Sequence, residues 1–211
     1  QRVVVTCAPS PSPTPAPTIV GNPDHEFDFR GCSDGVDVVD AYNSSIVAQA
    51  MNGASCSVGG MVFDGDDDYV NVTTWQFGGA FTVEAYVKLE SLVPSNHPRF
   101  FEFGNNVAGD GTGDRITLFH DSGSTSARFN VKSEGNSRSI SCASTLAVGK
   151  WFHFACTATT SKMELYVDGV LCIDASTSKA LLPEMRQYHI IGNVFNTGRT
   201  IEGTIAYVRF W

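Results

Sequence analysis

The sequence predicts an all-β fold, a two-sheet antiparallel jelly-roll sandwich that follows an N-terminal strand and an extended stalk rich in Pro, Ser and Thr. From Phe63 onward, apolar residues alternate with polar ones in short runs, which is the period of a strand with one buried face. Gly, Asn and Asp separate the runs, and no convincing amphipathic helix appears. Regular strand spacing over roughly 150 residues is typical of sandwiches and jelly rolls.

The first 22 residues divide into two segments. Residues 1–7 contain the β-branched run Val3-Val4-Val5-Thr6, which predicts a short strand without a local partner. Residues 8–22 are predicted as a stalk, because residues 8–18, APSPSPTPAPT, favour extended polyproline II and lack backbone donors. Such tracts are often O-glycosylated, and an unmodified flexible linker is the alternative. The candidate acceptors are Ser10, Ser12, Thr14 and Thr18.

The rest of the chain, residues 23–211, is predicted as one domain. The segment 81–89 shows the pattern clearly: its odd-numbered residues are apolar and face the core, whereas Thr82, Glu84, Tyr86 and Lys88 face the other way. Asp168-Gly169 predicts a tight hairpin turn. Residues 178–187 are assigned at most one short helical turn. Further strands are predicted at 99–103, 115–120, 127–132, 139–144, 151–160, 163–168, 170–175, 188–192 and 204–211.

Composition limits the partners. The 211 residues carry 14 Lys and Arg against 22 Asp and Glu, a formal net charge of −8. This charge repels phosphate backbones and anionic membranes, so nucleic acid is not an expected partner. No apolar stretch approaches the ~20 residues that cross a bilayer, so membrane insertion is not expected either.

Five sequence blocks follow one another in a specific order: FDGDDDYV (63–70), FTVEAYV (81–87), GKWFHFA (149–155), LYVDG (165–169) and GTIAYV (203–208). Together they resemble the concanavalin A-like, laminin-G-like jelly-roll domains, over roughly residues 25–211. The resemblance implies two antiparallel sheets, one of them concave, and binding of sugars or proteins at a cell surface or in the matrix. It also implies that residues 25–60 supply the first strand and a cysteine-bridged loop. Tyr86 stands where the family usually has Trp.

Catalysis is not expected. Related glucanases place two glutamates and an aspartate on one strand as E-x-D-x-x-E, because retaining cleavage needs two carboxyl groups about 5 Å apart. Glu84 and Glu90 lack the intervening Asp, and motifs of serine hydrolases, zinc proteases and P-loop proteins are missing from the sequence. We therefore predict a non-enzymatic protein.

Four aspartates crowd the block FDGDDDYV. Asp and Gly favour tight turns, so the first interpretation is a turn between two strands. The second is a calcium site at a rim, because calcium takes six to eight oxygen ligands and laminin-G-like domains often carry one there. The spacing is not that of an EF-hand, so residues 105–114 would have to supply further ligands. The candidate ligands are Asp64, Asp66, Asp67 and Asp68.

Sugar binding requires aromatic rings that stack on sugar faces and polar groups that bind hydroxyls. The candidates are Glu84, Tyr86 and Trp75. Glu84 is predicted on the polar face of an inner strand, with a structural hydrogen bond as the alternative role. Trp151 is expected in the core.

Six cysteines and two sequons, at Asn43 and Asn71, indicate a secreted protein in an oxidising, extracellular setting. Cys32 and Cys56 bracket a loop and are predicted to pair. Cys142 and Cys156 lie on consecutive predicted strands and are predicted to pair as cross-strand neighbours. This leaves Cys7 and Cys172, which would pair within one chain or between two.

Two functions stay open. The first is a structural or adhesive surface glycoprotein that assembles head to tail into a fibre: residues 2–7 add as a strand to the next copy, and Cys7–Cys172 locks the joint. The alternative is a monomeric, lectin-like module that binds glycans, with calcium as a candidate cofactor. The expected partners are accordingly other copies of the chain, or extracellular glycans and matrix.

Overall fold

The computed structural model describes residues 21–92, 97–105, 113–122, 124–176, 181–194 and 199–211. The N-terminal strand 1–7, Cys7, the four O-glycosylation candidates and all but the last two residues of the stalk lie outside this part of the chain. Within it, every regular element is a β-strand and none is a helix. Accordingly, no helix in these ranges is long and apolar enough to span a bilayer.

The described residues form eighteen strands. The first nine are β1 (His25–Asp28), β2 (Val38–Val39), β3 (Val47–Met51), β4 (Ser55–Ser57), β5 (Gly60–Asp64), β6 (Tyr69–Val72), β7 (Gln76–Gly79), β8 (Phe81–Leu89) and β9 (Arg99–Gly104). The others are β10 (Arg115–His120), β11 (Ala127–Ser133), β12 (Asn136–Cys142), β13 (Trp151–Ala158), β14 (Lys162–Val167), β15 (Val170–Ser176), β16 (Leu181–Met185), β17 (Tyr188–Ile191) and β18 (Glu202–Phe210).

The strands form two large antiparallel sheets. Sheet A has the order β15-β14-β13-β8-β18-β5-β4, and β1 also pairs with β18. Sheet B has the order β12-β11-β10-β9-β17-β6-β3-β2, and β7 with β16 makes a small separate ladder. The chain crosses repeatedly from one sheet to the other, for example from β8 to β9 and from β12 to β13. The predicted all-β sandwich of jelly-roll type is confirmed.

An aromatic core fills the space between the sheets. On β8 the alternation is as predicted, with Phe81, Val83, Ala85, Val87 and Leu89 buried. Rings from opposite sheets meet directly: Phe154 of β13 stacks on Phe100 of β9 with ring centroids 5.5 Å apart. Side chains of β8 that do not enter this core must therefore point away from the sandwich.

Within the segment 178–187, residues 181–185 form a strand where the sequence allowed one short helical turn, and residues 178–180 lie outside the described residues. Residues 181–185 form β16, which pairs with β7. The two backbones approach so closely that a Cβ at Gly78 would lie 2.4 Å from the carbonyl oxygen of Leu182. Glycine at this position therefore permits a ladder that a local helix-propensity argument does not anticipate.

The structure confirms one predicted disulfide and corrects the others. Cys32 pairs with Cys56, and their Cα atoms are 5.6 Å apart. Cys142 pairs with Cys172, not with Cys156, and the Cα separation is 5.8 Å. The predicted Cys142–Cys156 and Cys7–Cys172 pairs are therefore wrong.

The reason for this error lies in the topology. Residues 143–150 do not form a hairpin turn; they carry the chain from β12, at the edge of sheet B, to β13, inside sheet A. Cys156 faces the core between Val83 and Leu165, and its thiol is free. Burial raises the pKa of this thiol, which keeps it protonated. Cys172 lies on β15, the edge strand of sheet A next to β12, so its disulfide joins the two sheets.

We predict that replacing Cys142 and Cys172 together by alanine lowers the free energy of unfolding by roughly 3–4 kcal/mol, because the bond closes a loop of 30 residues. Urea unfolding of the double variant and the wild type measures this difference. Repeating the titration with reductant is the control for the second bond. Equal unfolding midpoints for the two oxidised proteins would contradict the cross-link between sheets.

Candidate functional site

The outward side of sheet A carries a group of partly exposed aromatic and charged side chains, which we call the open face. The register of the central strands assembles it: Tyr86 of β8 lies between His153 of β13 and Tyr207 of β18. One step along the strands, Glu84 lies opposite Arg209. The β8–β18 ladder contains a bulge between Ile205 and Tyr207. Because the bulge adds one residue to β18, Tyr207 and Arg209 point outward, on the same side as Tyr86 and Glu84.

Three aromatic rings form a row across the open face. The Trp151 and Tyr86 rings stack with centroids 4.8 Å apart and an interplanar angle of 23°. Tyr86 and Tyr207 continue the row at 5.8 Å and 27°. Trp151 was expected in the core, but it lies on the outer side of β13, because Phe152 takes the inward position beside it. The structure thus adds Trp151 and Tyr207 to the predicted Tyr86.

Charged groups flank this row of rings. Glu84 Oε2 lies 3.5 Å from His153 Nε2 and 3.9 Å from Arg209 Nη1. Arg209 also donates from Nε to Glu26 at 2.7 Å, and its guanidinium lies 4.2 Å from the centre of the Tyr207 ring. The Glu84 side chain remains 15% exposed. Glu84 therefore makes ion pairs within the protein, as its predicted structural role requires. It also points outward, as a ligand-binding carboxylate must.

Trp75 does not join the open face. Its side chain is 7% exposed and lies at one end of the core, 3.8 Å from the ring of His189 between centroids. Burial lowers the pKa of His189 to about 3, so this imidazole is neutral at physiological pH. Trp75 was predicted to bind sugar together with Glu84 and Tyr86. It does not lie with them, because it follows β6 of sheet B and points inward between the sheets.

The aspartate-rich block is a turn, as predicted, between β5 and β6. The Asp66 N–H donates to the Asp64 carboxylate at 2.9 Å, which is the local bond that favours Asp in turns. Carboxylate oxygens of Asp64, Asp67 and Asp68 lie within 4.8 Å of one another. The Asp66 carboxylate is not in this group. Three of the four predicted calcium ligands therefore converge.

Asp68 is the unusual member of the turn. It is 2% exposed; one carboxylate oxygen accepts from the Asp64 N–H at 2.9 Å, and the other, Oδ1, is buried without a hydrogen-bond partner among the described residues. Burial raises the pKa of Asp68, and the neighbouring carboxylates of Asp64 and Asp67 raise it further. A group of carboxylates with an orphaned buried oxygen fits a cation with oxygen ligands.

Two other connections contact the aspartate-rich turn within the described residues. Asn52 Nδ2 donates to the Asp67 carbonyl at 3.1 Å, and Thr200 Oγ1 donates to the Asp66 carbonyl at 3.0 Å. Asn193 Nδ2 donates to the Asp68 carbonyl at 3.4 Å. Residues 106–112, most of the loop proposed to complete a calcium site, lie outside the described residues. The neighbours that the structure does show come from the β3–β4 and β17–β18 connections.

Sheet B contains a buried polar cluster that the sequence did not predict. Glu102 accepts hydrogen bonds from Tyr188 Oη at 2.9 Å and from Arg99 Nε at 3.3 Å, and Arg115 Nε lies 3.8 Å away. Burial lowers the pKa of Arg99 to about 10. The signal in the sequence was the run RFFEF, with two charges inside an otherwise apolar strand. Glu102 thus links Arg99 of β9 with Tyr188 of β17, and Arg115 of β10 lies within ion-pair distance, although its buried Nε has no hydrogen-bond partner among the described residues. The cluster primarily fixes β9, β10 and β17 together.

Both sequons lie on the surface. Asn43 and Asn71 are exposed, the latter on β6 of sheet B. This exposure permits glycosylation of both side chains, which remains a prediction.

A laminin G family model, described as the concanavalin A-like lectin/glucanases superfamily, matches residues 64–211. The chain belongs to this superfamily. The match begins at the aspartate-rich turn and includes every residue of the open face except Glu26. No curated protein sequence matches the chain.

Solved structures of low sequence identity share the fold of this concanavalin A-like chain. Domain 4 of AbnA, an extracellular GH43 arabinanase from Geobacillus stearothermophilus, in complex with arabinotriose, has a TM-score of 0.69 at 13% identity; the match covers 90% of this chain and 91% of that one. The Ruminococcus gnavus IT-sialidase CBM40, bound to α2,3-sialyllactose, has a TM-score of 0.54 at 11% identity, covering 67% and 85%.

A sialidase from Trypanosoma rangeli, in complex with a difluorinated sugar acid, has a TM-score of 0.62 at 15% identity. The match covers 94% of this chain but 34% of the sialidase, so this chain spans about a third of that enzyme. At such identities the likeness establishes the fold.

We predict that Asp68→Asn stabilises the metal-free protein at pH 7 but not at pH 3. Below the ordinary Asp pKa of 3.8, Asp68 is protonated in both the folded and the unfolded chain. As the pH rises above 3.8 the unfolded chain ionises first, so the raised folded pKa costs stability, and asparagine removes that cost. Urea unfolding in chelator at both pH values measures the effect, with the exposed Asp66→Asn as control. A stabilisation equal at both pH values would contradict this account.

Proposed function

We propose that this domain is a non-enzymatic, extracellular carbohydrate-binding module and that the open face of sheet A holds the glycan. The observation that carries the proposal is the row of Trp151, Tyr86 and Tyr207 rings with Glu84 and Arg209 beside it. Aromatic faces bind the apolar faces of sugar rings, and adjacent charged groups bind sugar hydroxyls.

The shape of this surface favours an oligosaccharide over a single sugar. The three rings come from β13, β8 and β18, which are adjacent strands about 4.8 Å apart in a sheet. Their planes are within 30° of one another in each neighbouring pair. A row of this kind offers successive stacking positions along an extended ligand that lies across the strands.

The polar groups supply both donors and acceptors. Glu84 accepts hydrogen bonds, whereas His153, Arg209 and Lys88 donate them; Lys88 Nζ lies 5.9 Å from the centre of the Trp151 ring. Burial raises the pKa of Tyr207, which keeps its hydroxyl neutral and able to donate. The proposal includes no catalytic step, because Glu84 is already paired with His153 and Arg209.

Two further observations support carbohydrate binding outside the cell. The structural neighbours named above include domains bound to arabinotriose and to sialyllactose, both carbohydrates. The Cys32–Cys56 and Cys142–Cys172 disulfides are typical of proteins that work outside the cell. The fibre hypothesis receives no such support, since Cys172 is bonded to Cys142 and is unavailable to Cys7.

We predict that Trp151→Ala and Tyr86→Ala each weaken glycan binding by roughly three- to tenfold, because each removes one stacking ring worth about 0.5–1.5 kcal/mol. A glycan array identifies a ligand, and calorimetric titration gives the dissociation constants. Met185→Ala is the control, because Met185 is 61% exposed and lies on β16, in the small ladder with β7 and outside sheet A. Equal losses in all three variants, or no saturable binding of any glycan to the wild type, would refute the open-face proposal.

We also propose that calcium binds at the aspartate-rich turn, held by carboxylates of Asp64, Asp67 and Asp68. The orphaned, buried Oδ1 of Asp68 supports this proposal. Calcium bound there would supply positive charge to three converging carboxylates and would fix the turn between β5 and β6.

We predict that calcium at about 100 times its dissociation constant raises the unfolding temperature by roughly 5–10 °C, because ligand binding to the folded state adds about 2.7 kcal/mol. Differential scanning calorimetry with and without chelator measures the shift. Asp68→Asn should abolish it, whereas Asp66→Asn should retain it. An unchanged unfolding temperature of the wild type would exclude a calcium site here.

A further inference from the structure

Three cations lie directly against the rings of the open face. The guanidinium groups of Arg209 and Arg30 lie 4.2 Å and 5.4 Å from the centre of the Tyr207 ring, and Lys88 Nζ lies 5.9 Å from that of Trp151. Free cations in such positions would attract acidic sugars, because guanidinium and ammonium groups bind carboxylates and sulfates through charge-assisted hydrogen bonds. The partners that these cations already have therefore decide which class of glycan the open face accepts.

Both arginines are paired with carboxylates of β1. Arg30 donates from Nε to Asp28 Oδ1 at 2.9 Å and from Nη2 to Asp28 Oδ2 at 2.6 Å, so one edge of its guanidinium holds both carboxylate oxygens. This pairing lowers the pKa of Asp28, mainly through the hydrogen bond from the Arg30 side chain. Arg209 donates to Glu26 and also lies near Glu84. Neither guanidinium is left as an unpaired cation.

The two lysines next to Trp151 are paired as well. Lys88 lies opposite Trp151 in the β8–β13 ladder, and Lys150 precedes it in the chain. Lys88 Nζ lies 2.6 Å from Glu90 Oε1, and Lys150 Nζ lies 3.4 Å from Asp168 Oδ2. Exposed pairs of this kind contribute little to stability, but they cancel positive charge on the surface that a ligand approaches.

Acids are at least as numerous as cations around the row of rings. The described residues there include four cations and five acids, which give a formal charge of −1 with His153 neutral and 0 with it protonated. They are Arg30, Lys88, Lys150, Arg209, Glu26, Asp28, Glu84, Glu90 and Asp168.

This balance treats charged and uncharged ligands differently. A ligand carboxylate would have to displace one of the acids to reach a cation, and it would still lie close to the other acids, so the exchange provides no additional charge pairing. A sugar hydroxyl needs no such exchange, because a paired carboxylate keeps acceptor sites and a paired guanidinium keeps N–H groups.

We propose that the glycan held by the open face is uncharged, an oligosaccharide of neutral sugar units without carboxylate or sulfate groups. This inference rests on the carbohydrate binding proposed above and narrows it. The rings bind the apolar faces of the sugars, and the paired side chains direct their remaining donors and acceptors to the hydroxyls. Because no ion pair forms or breaks on binding, the affinity depends little on salt.

Oligosaccharides that differ only in charge test this inference. The probes are mannohexaose, cellohexaose, galactohexaose and any neutral hexose oligosaccharide that a glycan array identifies, each before and after oxidation of its C6 hydroxymethyl groups to carboxylates. In calorimetric titration of the full chain, we expect oxidation to weaken binding about fivefold or more, because the added carboxylates meet an excess of acids. Binding of the neutral form should change less than about twofold between roughly 0.05 and 0.5 M NaCl. Weaker binding by Trp151→Ala assigns the bound probe to the open face.

A charge variant tests the role of the pairs separately. Glu90→Gln keeps the size of the side chain but leaves Lys88 without its acid, so we expect the affinity for the oxidised probe to rise about threefold relative to that for the neutral probe. Asp37→Asn is the matched control, because it makes the same change in net charge at an exposed residue that precedes β2 of sheet B. The ratio of the two affinities should then stay as in the wild type. Unchanged unfolding temperatures show that both variants are folded.

Three results would overturn the inference. The first is tighter binding of the oxidised probes than of the neutral ones, weakened by NaCl and by Trp151→Ala, which would keep carbohydrate binding at the open face but make its ligand acidic. The second is an equal effect of Glu90→Gln and Asp37→Asn on the affinity ratio, which would show that the ion pairs do not set the charge preference. The third is absence of binding of every probe and every array glycan, which would remove the proposed function itself.

Discussion

The structure depends on one constraint: two sheets must bury their apolar faces against each other around a shared aromatic core. Contacts such as that of Phe154 with Phe100 fix which side of each strand points inward. Every second residue of β8, β13 and β18 is thereby turned outward, and the register of these strands brings Tyr86, Tyr207 and Arg209 together. The open face is thus a by-product of core packing.

Local alternation made much of this predictable. The strand at 81–89 and the outward position of Glu84 and Tyr86 follow from a period of two, and the Asp168-Gly169 turn follows from backbone preference. Trp151 was wrongly predicted in the core because only its hydrophobicity was considered. Its neighbour Phe152 occupies the inward position, so Trp151 points outward. Trp75 was misplaced because no periodic run surrounds it, so its direction depends on tertiary contacts with His189 and Phe210.

The disulfides show where such reasoning ends. Cys32–Cys56 closes the segment that precedes the periodic strands and could be predicted, whereas Cys142–Cys172 depends on which sheet each strand joins. From sequence alone, a connection such as residues 143–150 could be a hairpin turn within one sheet or a crossover between the two sheets. The buried Glu102 cluster was missed for a similar reason: its partners Tyr188 and Arg115 are brought to it by strand pairing at long sequence separation.

The pairing of β1 with β18 has a mechanical consequence. These strands are antiparallel, and residues 21 and 211 leave the ladder at the same end of the sandwich. Tension applied between these two positions would load the backbone bonds of the pair one after another, as a zipper opens, and would not shear them all at once. The domain would resist such a pull through β1 weakly, while β18, held on its other side by β8, stayed in the sheet.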